Sequence, residues 1–293
     1  AVDRVTMISD PRLTLARPDL AADHLRDQID APRYAKGQIM QICTPTAPLF
    51  AAPRADGPLQ SEFLLGEEVL VVEQTEEGWS WGQNLSDGYV GYLPSDALTS
   101  DVQAVTHQIS ALRSFVYAAA TIKLQPLQVL SFGAKLAITD TQDQFSRLAT
   151  GGYIFSSDLT PLTDESQNKD LQDPAAFAAY FLHSPYLWGG RSSLGVDCSG
   201  LIQLALQACG IKAPRDSDQQ ERALGHEIAD TNSLHRNDLV FWKGHVGLML
   251  DQEHLLHASG HHMHVVIEPL AEARSRILQK TGHDLTSCKR LVF

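Results

Sequence analysis

The stretch Pro185 to Gly210, PYLWGGRSSLGVDCSGLIQLALQACG, decides how the C-terminal part of this chain folds. Its first half is a glycine-rich loop. Its second half reads as a helix: Asp197 suits the N-cap, Leu201, Leu204, Ala205 and Ala208 recur at helical spacing, and Gly210 supplies the stop. Cys198 then falls on the first turn, where unsatisfied N–H groups and the positive end of the helix dipole favour a thiolate. A packing cysteine sits on the apolar face instead, and Cys209 fits that description.

Working outward, Asp173-Pro174 suits an N-cap with proline at the first helical position, leading into AAFAAYFL. Downstream, DLVFW (Asp238 to Trp242), HVGLML (His245 to Leu250), HLLHAS (His254 to Ser259) and HVVIEPL (His264 to Leu270) read as strands. Helices followed by antiparallel strands make an α+β domain. A cysteine nucleophile needs a group that takes its proton and returns it to the leaving amine, a task suited to histidine near neutrality. The chain has 12 histidines, and an arbitrary one is better read as surface or satisfied core. His245 opens one strand and His257 lies on the next, with a short hairpin around Asp251 to Glu253 between them. The two rings can therefore meet, with His257 orienting His245 as the third member of a triad.

The N-terminal half is different. Residues 1–33 form an arm with one short helical stretch expected around Ala21 to Ile29. From Lys36 to Thr99 come short β-type runs: QIMQIC (Gln38 to Cys43), EEVLVVEQ (Glu67 to Gln74), WSWGQN (Trp79 to Asn84) and GYVGYL (Gly88 to Leu93). A weaker copy follows, with Gly66 and Gly91 matched by Gly133 and Gly152, and Phe145 where the first copy has Trp79. A repeat of about 60 residues means two similar small barrels. Their aromatics are read first as core packing. The expected division is the arm 1–33, barrels 34–100 and 101–165, a linker TDESQNKD (Thr163 to Asp170), and an α+β domain 170–293.

Composition narrows the function. The 293 residues are 43% hydrophobic and 20% charged, which marks a folded chain. A net charge of -12, with 23 scattered Lys and Arg, argues against nucleic acid as a partner. No apolar run reaches the roughly 20 residues of a membrane helix, so no membrane association is expected. The opening residues lack a signal-peptide profile; the expectation is a cytoplasmic protein, with a periplasmic or secreted one as the alternative where a signal has been removed. The four cysteines, Cys43, Cys198, Cys209 and Cys288, show no CxxC spacing. His254, His261, His262 and His264 have no HExxH pattern or acid cluster and read as a hairpin rim, so no metal or other cofactor is expected.

The pair of small barrels resembles tandem bacterial SH3 domains, on "GW" (Gly78, Trp79), "GYVGYL" and "LPSDAL" (Leu93 to Leu98). The region from Asp173 onward resembles the NlpC-type bacterial cell-wall cysteine peptidases, on PYLWGGRSSLGVDCSGLIQLALQACGIKAPRDSDQQ, DLVFW, GHVGLML and LLHASG. That resemblance implies a papain-like peptidase domain in which Cys198 is the nucleophile, His245 the base and His257 its orienter. It places Tyr186 beside the nucleophile, with the Cys198 N–H as the other oxyanion donor. A subgroup with two SH3 domains cuts the γ-D-glutamyl to diamino-acid bond of murein peptides that keep a free N-terminal L-Ala. By likeness to it, Asp216 and Ser217 read the free amine, Ser199 lines the same pocket, and Tyr89, with Tyr92 second, closes it from the first barrel; Glu62 is a weaker addition. Taken alone, Asp216 reads as a turn residue after Pro214. The implied partner is a small murein peptide, L-Ala-γ-D-Glu-diamino acid. The competing readings are an endopeptidase on intact peptidoglycan, a non-catalytic cell-wall-binding module, and a cysteine-dependent acyltransferase.

Overall fold

The computed structural model describes residues 10–162 and 173–292; the expected linker and residues 1–9 of the arm lie outside the described residues. The described chain falls into two compact units, one of residues 10–109, 114–130 and 134–159, the other of 110–113, 131–133, 160–162 and 173–292.

In the first unit, strands Gln38–Ile42, Thr46–Phe50, Leu59–Leu64, Glu68–Gln74, Trp79–Asn84, Val90–Pro94 and Leu98–Thr99 make one seven-stranded antiparallel sheet curled around a small core. The alternation in EVLVVEQ sends Val69 and Val71 into that core. Tyr89 is there too, 2% exposed, among Met40, Leu49, Phe63 and Leu93. Glu62 is a buried residue of Leu59–Leu64. The second copy forms a five-stranded sheet in which Phe145 packs edge-on against Tyr117 and Phe155. Gly66 (φ 81°) lies where the two barrels touch: a Cβ there would stand 2.1 Å from the Lys135 carbonyl oxygen, and Lys135 N bonds Leu65 O at 2.8 Å.

The helix expected at Ala21 to Ile29 is absent. Leu20–Ala22 is a strand paired with Ala16–Arg17 and Tyr34–Ala35, followed by a single 3-10 turn, Asp23–Leu25. Leu15, Leu20 and Ala22 are buried against Trp81 and Val90, and that burial outweighs the weak propensity of so short a helix.

In the second unit, α1 (Pro174–Ala179) starts where Asp173 accepts a hydrogen bond from the Ala176 N–H. α2 (Cys198–Ala208) follows the Asp197 cap and stops at Gly210, φ 72°. The expected strands appear as Leu239–Trp242, His245–Met249, His254–Ser259 and His264–Pro269, joined at one edge by Ser287–Arg290 and His226–Glu227 into a six-stranded antiparallel sheet. Two helices were not expected: α3 (Ser217–Ala223) and α4 (Leu270–Thr281). Period-2 alternation splits the sheet's side chains. Leu239, Phe241, Val246, Leu248 and Leu256 face the cluster containing α1 and α2, whereas Val240, Trp242, Met249 and Leu255 face the cluster containing Leu270 and Ala273 of α4. Leu201 and Leu204 of α2 are fully buried, each contributing about 1.5–3 kcal/mol of apolar transfer. Cys209 ends α2 half-buried and outside the core clusters, so the apolar face holds Leu204 and Ala208 rather than the expected thiol.

Candidate active site

Five contacts fix the start of α2. Asp197 accepts hydrogen bonds from Gly200 N at 2.7 Å and Gly189 N at 2.9 Å, and pairs with Arg215 through Nη1–Oδ1 at 2.9 Å and Nη2–Oδ2 at 2.8 Å. Arg215, 0% exposed, also donates to Ser199 Oγ at 3.0 Å. Gly200 is required because a Cβ there would meet the Gly190 carbonyl oxygen at 2.4 Å. The helix is thus locked from both sides of its cap, and Cys198 with it.

The thiol's acidity differs from expectation. Burial pushes Cys198 up to about 12 and the Asp197 charge adds to this, while the Val246 N–H, Arg215 and the Ser199 N–H pull the other way. Desolvation outweighs the helix terminus, so a thiolate at neutral pH requires a base to receive the proton. Val246 follows His245 directly, and its N–H faces the sulfur. The base is thereby one residue from the contact.

His245 Nε2 and His257 Nδ1 are 2.7 Å apart. The register Leu248↔Leu256 sets Gly247 opposite His257, and a Gly247 Cβ would stand 3.3 Å from the His257 Cβ and 2.5 Å from Leu255 Cδ1. The second glycine of GHVG makes the space in which the rings meet. Behind them, His257 Nε2 lies 2.7 Å from Glu268 Oε1, and Glu268 is gripped by Arg276 through Nη1 at 2.7 Å and Nη2 at 2.5 Å. Burial, followed by repulsion from His257 and Arg276, lowers the pKa of His245. Burial also lowers that of His257 against the pull of Glu268. Both imidazoles are neutral near neutral pH.

The half-buried Tyr186 packs its ring against Gly260, and burial plus the neighbouring Cys198 and Asp197 raise its pKa, so the hydroxyl keeps its proton and can donate. Ser199 is 5% exposed, and its hydroxyl is engaged by Asp197 and Arg215. Asp216 and Ser217 follow Arg215 directly at the start of α3; Gln219 Oε1 accepts from Asp216 N at 3.3 Å in a capping box, so the local role of Asp216 is that of a helix N-cap and not of the turn residue expected after Pro214. Gln220 Nε2 ties α3 to Ser199 O at 2.9 Å. The structure therefore gathers Tyr186, Cys198, Ser199, His245, His257 and the Asp216–Ser217 pair within the second unit, while Tyr89 belongs to the first. The histidine rim is partly as expected: His261 is exposed, but His262 turns inward until its Nε2 is 3.6 Å from Glu268 Oε2. Among the described residues no group of three or more His, Cys, Asp or Glu could hold a metal ion.

A model of the NlpC/P60 family matches residues 183–280, and one described as the bacterial dipeptidyl-peptidase Sh3 domain matches residues 49–98. Dipeptidyl-peptidase 6 of Lysinibacillus sphaericus is 31% identical over 231 residues, covering 73% of this chain and 84% of that protein. The chain belongs to the NlpC/P60 family. This NlpC/P60 chain is also similar to a gamma-D-glutamyl-L-lysine dipeptidyl-peptidase of Bacillus subtilis, at 29% identity over 221 residues, 69% of this chain and 73% of that one. The crystal structure of an NlpC/P60 family protein from Bacillus cereus superposes with a TM-score of 0.71 at 22% identity, covering 87% of this chain and 100% of that one, which speaks for the fold. It is a cysteine peptidase, built as an NlpC/P60 domain of papain-like α+β fold behind SH3-like all-β structure. Three residues of the NlpC/P60 site escaped the sequence reading: Arg215, Glu268 and Arg276. The signal for the last was the spacing of Leu270, Ala273 and Ile277 ahead of Gly282, which marks a helix.

Proposed function

We propose that this peptidase hydrolyses the γ-D-glutamyl to diamino-acid bond of small murein peptides with a free N-terminal L-Ala, acting in the recycling of cell-wall fragments in the cytoplasm. The observation that carries the reading is the hydrogen-bonded pair His245–His257 next to the N–H that faces the capped Cys198 thiol. His245 takes the Cys198 proton as sulfur attacks the γ-carbonyl carbon. The Cys198 N–H and the Tyr186 hydroxyl stabilise the oxyanion. Collapse breaks the C–N bond, His245 protonates the departing amine, and water, deprotonated by the same ring, releases the acyl group from sulfur. His257 keeps His245 in position throughout.

The free-amine requirement is assigned to Asp216, because an ammonium taken out of water needs a carboxylate partner. Ser217, next to Asp216 at the start of α3, and Ser199, whose carbonyl is tied to α3 by Gln220, are assigned to the same pocket. Support comes from the names of the relatives, which are dipeptidyl-peptidases, two of them specified for a γ-D-glutamyl-L-lysine substrate.

The test is mass spectrometry of products from L-Ala-γ-D-Glu-diamino-acid peptides, with and without N-acetylation. The free peptide is expected to yield L-Ala-D-Glu plus the diamino-acid fragment, the acetylated one to be cut poorly, and Asp216→Asn to lose most of this discrimination. Cys198→Ala is expected to lose turnover and His245→Ala nearly all of it, with His257→Ala losing less. Equal wild-type efficiency on both peptides removes the amine assignment, and turnover by Cys198→Ala removes the nucleophile.

A further inference from the structure

Glu268 is a carboxylate 8% exposed, directly behind the histidine pair, and the chemistry above gives it no part. We propose that Glu268 and Arg276 together are positioning residues that fix the tautomers of both histidines, so that Nδ1 of His245 is the basic nitrogen. This rests on the assignment of Cys198 and His245 as nucleophile and base.

The derivation runs from the carboxylate outward. Burial by itself would raise the pKa of Glu268, but hydrogen bonds from His257 and Arg276 hold it well below the usual carboxylate range. An ionised carboxylate only accepts, so His257 Nε2, 2.7 Å from Oε1, must carry a hydrogen. In a neutral ring the other nitrogen is then a lone pair. His257 Nδ1 accepts, and His245 Nε2, 2.7 Å away, is the donor. That leaves the lone pair of neutral His245 on Nδ1, free for the thiol proton. The reverse direction would set a His257 lone pair against the carboxylate at 2.7 Å.

Arg276 supplies the second half. A carboxylate alone would favour a charged His257, whose two N–H groups would turn the His245 Nε2 into an acceptor and place its hydrogen on Nδ1, ending its use as a base. The Arg276 guanidinium cancels the Glu268 charge while leaving its lone pairs in place. Among the described residues, the charged or titratable groups facing His257 are His245, Glu268, Arg276 and His262; His262, 3.6 Å from Glu268, acts in the same sense as Arg276 when protonated.

The test uses the full chain labelled with 15N-histidine. The wild type at neutral pH is expected to show both His245 and His257 as Nε2–H tautomers, each assigned from its His→Gln variant. Glu268→Ala is expected to lose kcat by roughly 100-fold with KM nearly unchanged and to show mixed tautomers. Arg276→Met is expected to move the acid limb of kcat/KM upward by about one pH unit. A wild-type spectrum with His257 protonated on Nδ1 overturns the proposal, and so does a folded Glu268→Ala with wild-type kcat and unchanged tautomers. An unmoved acid limb in Arg276→Met overturns the part given to arginine. Should Glu268→Ala fail to fold, the wild-type spectrum decides. The tautomers are also read in Cys198→Ala, without turnover. Activity in that variant removes the nucleophile assignment while leaving the tautomer result standing, so the two failures are distinguishable.

Discussion

Arg215 holds a full positive charge where no solvent reaches it, and Asp197 is the group that makes this tolerable, with two contacts below 3 Å. The pair is a clamp on the nucleophile's helix, since the same carboxylate caps Gly200. Arg215→Met leaves the Asp197 charge buried and uncompensated, and a loss of about 3–5 kcal/mol in denaturant unfolding is expected. The double variant Asp197→Asn/Arg215→Met is expected to recover part of that loss. A loss below 1 kcal/mol in Arg215→Met would show that solvent reaches the site after all. The capping aspartate was legible in the sequence because a cap is a local pattern. Its partner Arg215 is 18 residues on, in RDSDQQ; charge in a sequence carries no mark of burial, so no local pattern singles that arginine out.

Strands explain why two histidines 12 residues apart could be paired in advance: a short hairpin between period-2 segments fixes both face and register. Gly247 depends on that register. Gly247→Ala sets a methyl against Leu255 and His257, and the expected result is a drop in kcat larger than the drop in stability, because the His257 ring moves before the strand does. Wild-type kcat in a folded Gly247→Ala would separate the ring's position from the reaction. α4 was harder to see. It covers its face of the sheet mainly through Leu270 and Ala273, with Ile277 packed beside them, and its remaining surface mixes Glu272, Arg274, Arg276 and Lys280 with the exposed Leu278, so its apolar stripe is short. Without that helix the sequence offers no partner for Glu268, because Arg276 reaches it from α4.

At the scale of the molecule, the buried imidazoles make folding depend on pH. His245 is lowered to about 3 in the folded chain, and His257 is lowered as well, whereas unfolded imidazoles titrate near 6.5. Between those values the unfolded chain binds protons that the folded chain does not. This contribution to stability is therefore complete above pH about 6.5 and is lost as pH falls. Glu268, depressed below its unfolded value, adds a loss of the same sign at lower pH. The midpoint of thermal unfolding is expected to fall from pH 7 to pH 5, and less steeply in a His245→Gln/His257→Gln variant; a flat profile in the wild type would contradict the burial of these rings. The expected boundaries also take on a different meaning at this scale. Phe132, 4% exposed and 4.4 Å from the ring of Phe177, belongs to the peptidase core, and Ser131 Oγ bonds Ser193 Oγ at 2.9 Å, although both residues lie in the stretch read as the second barrel. Phe132→Ala is expected to destabilise the peptidase unit by about 3–5 kcal/mol, measured by its loss of near-UV ellipticity with denaturant. A peptidase excised at the linker would therefore leave part of its own core behind, and a cut that spares the core falls upstream of Ser110.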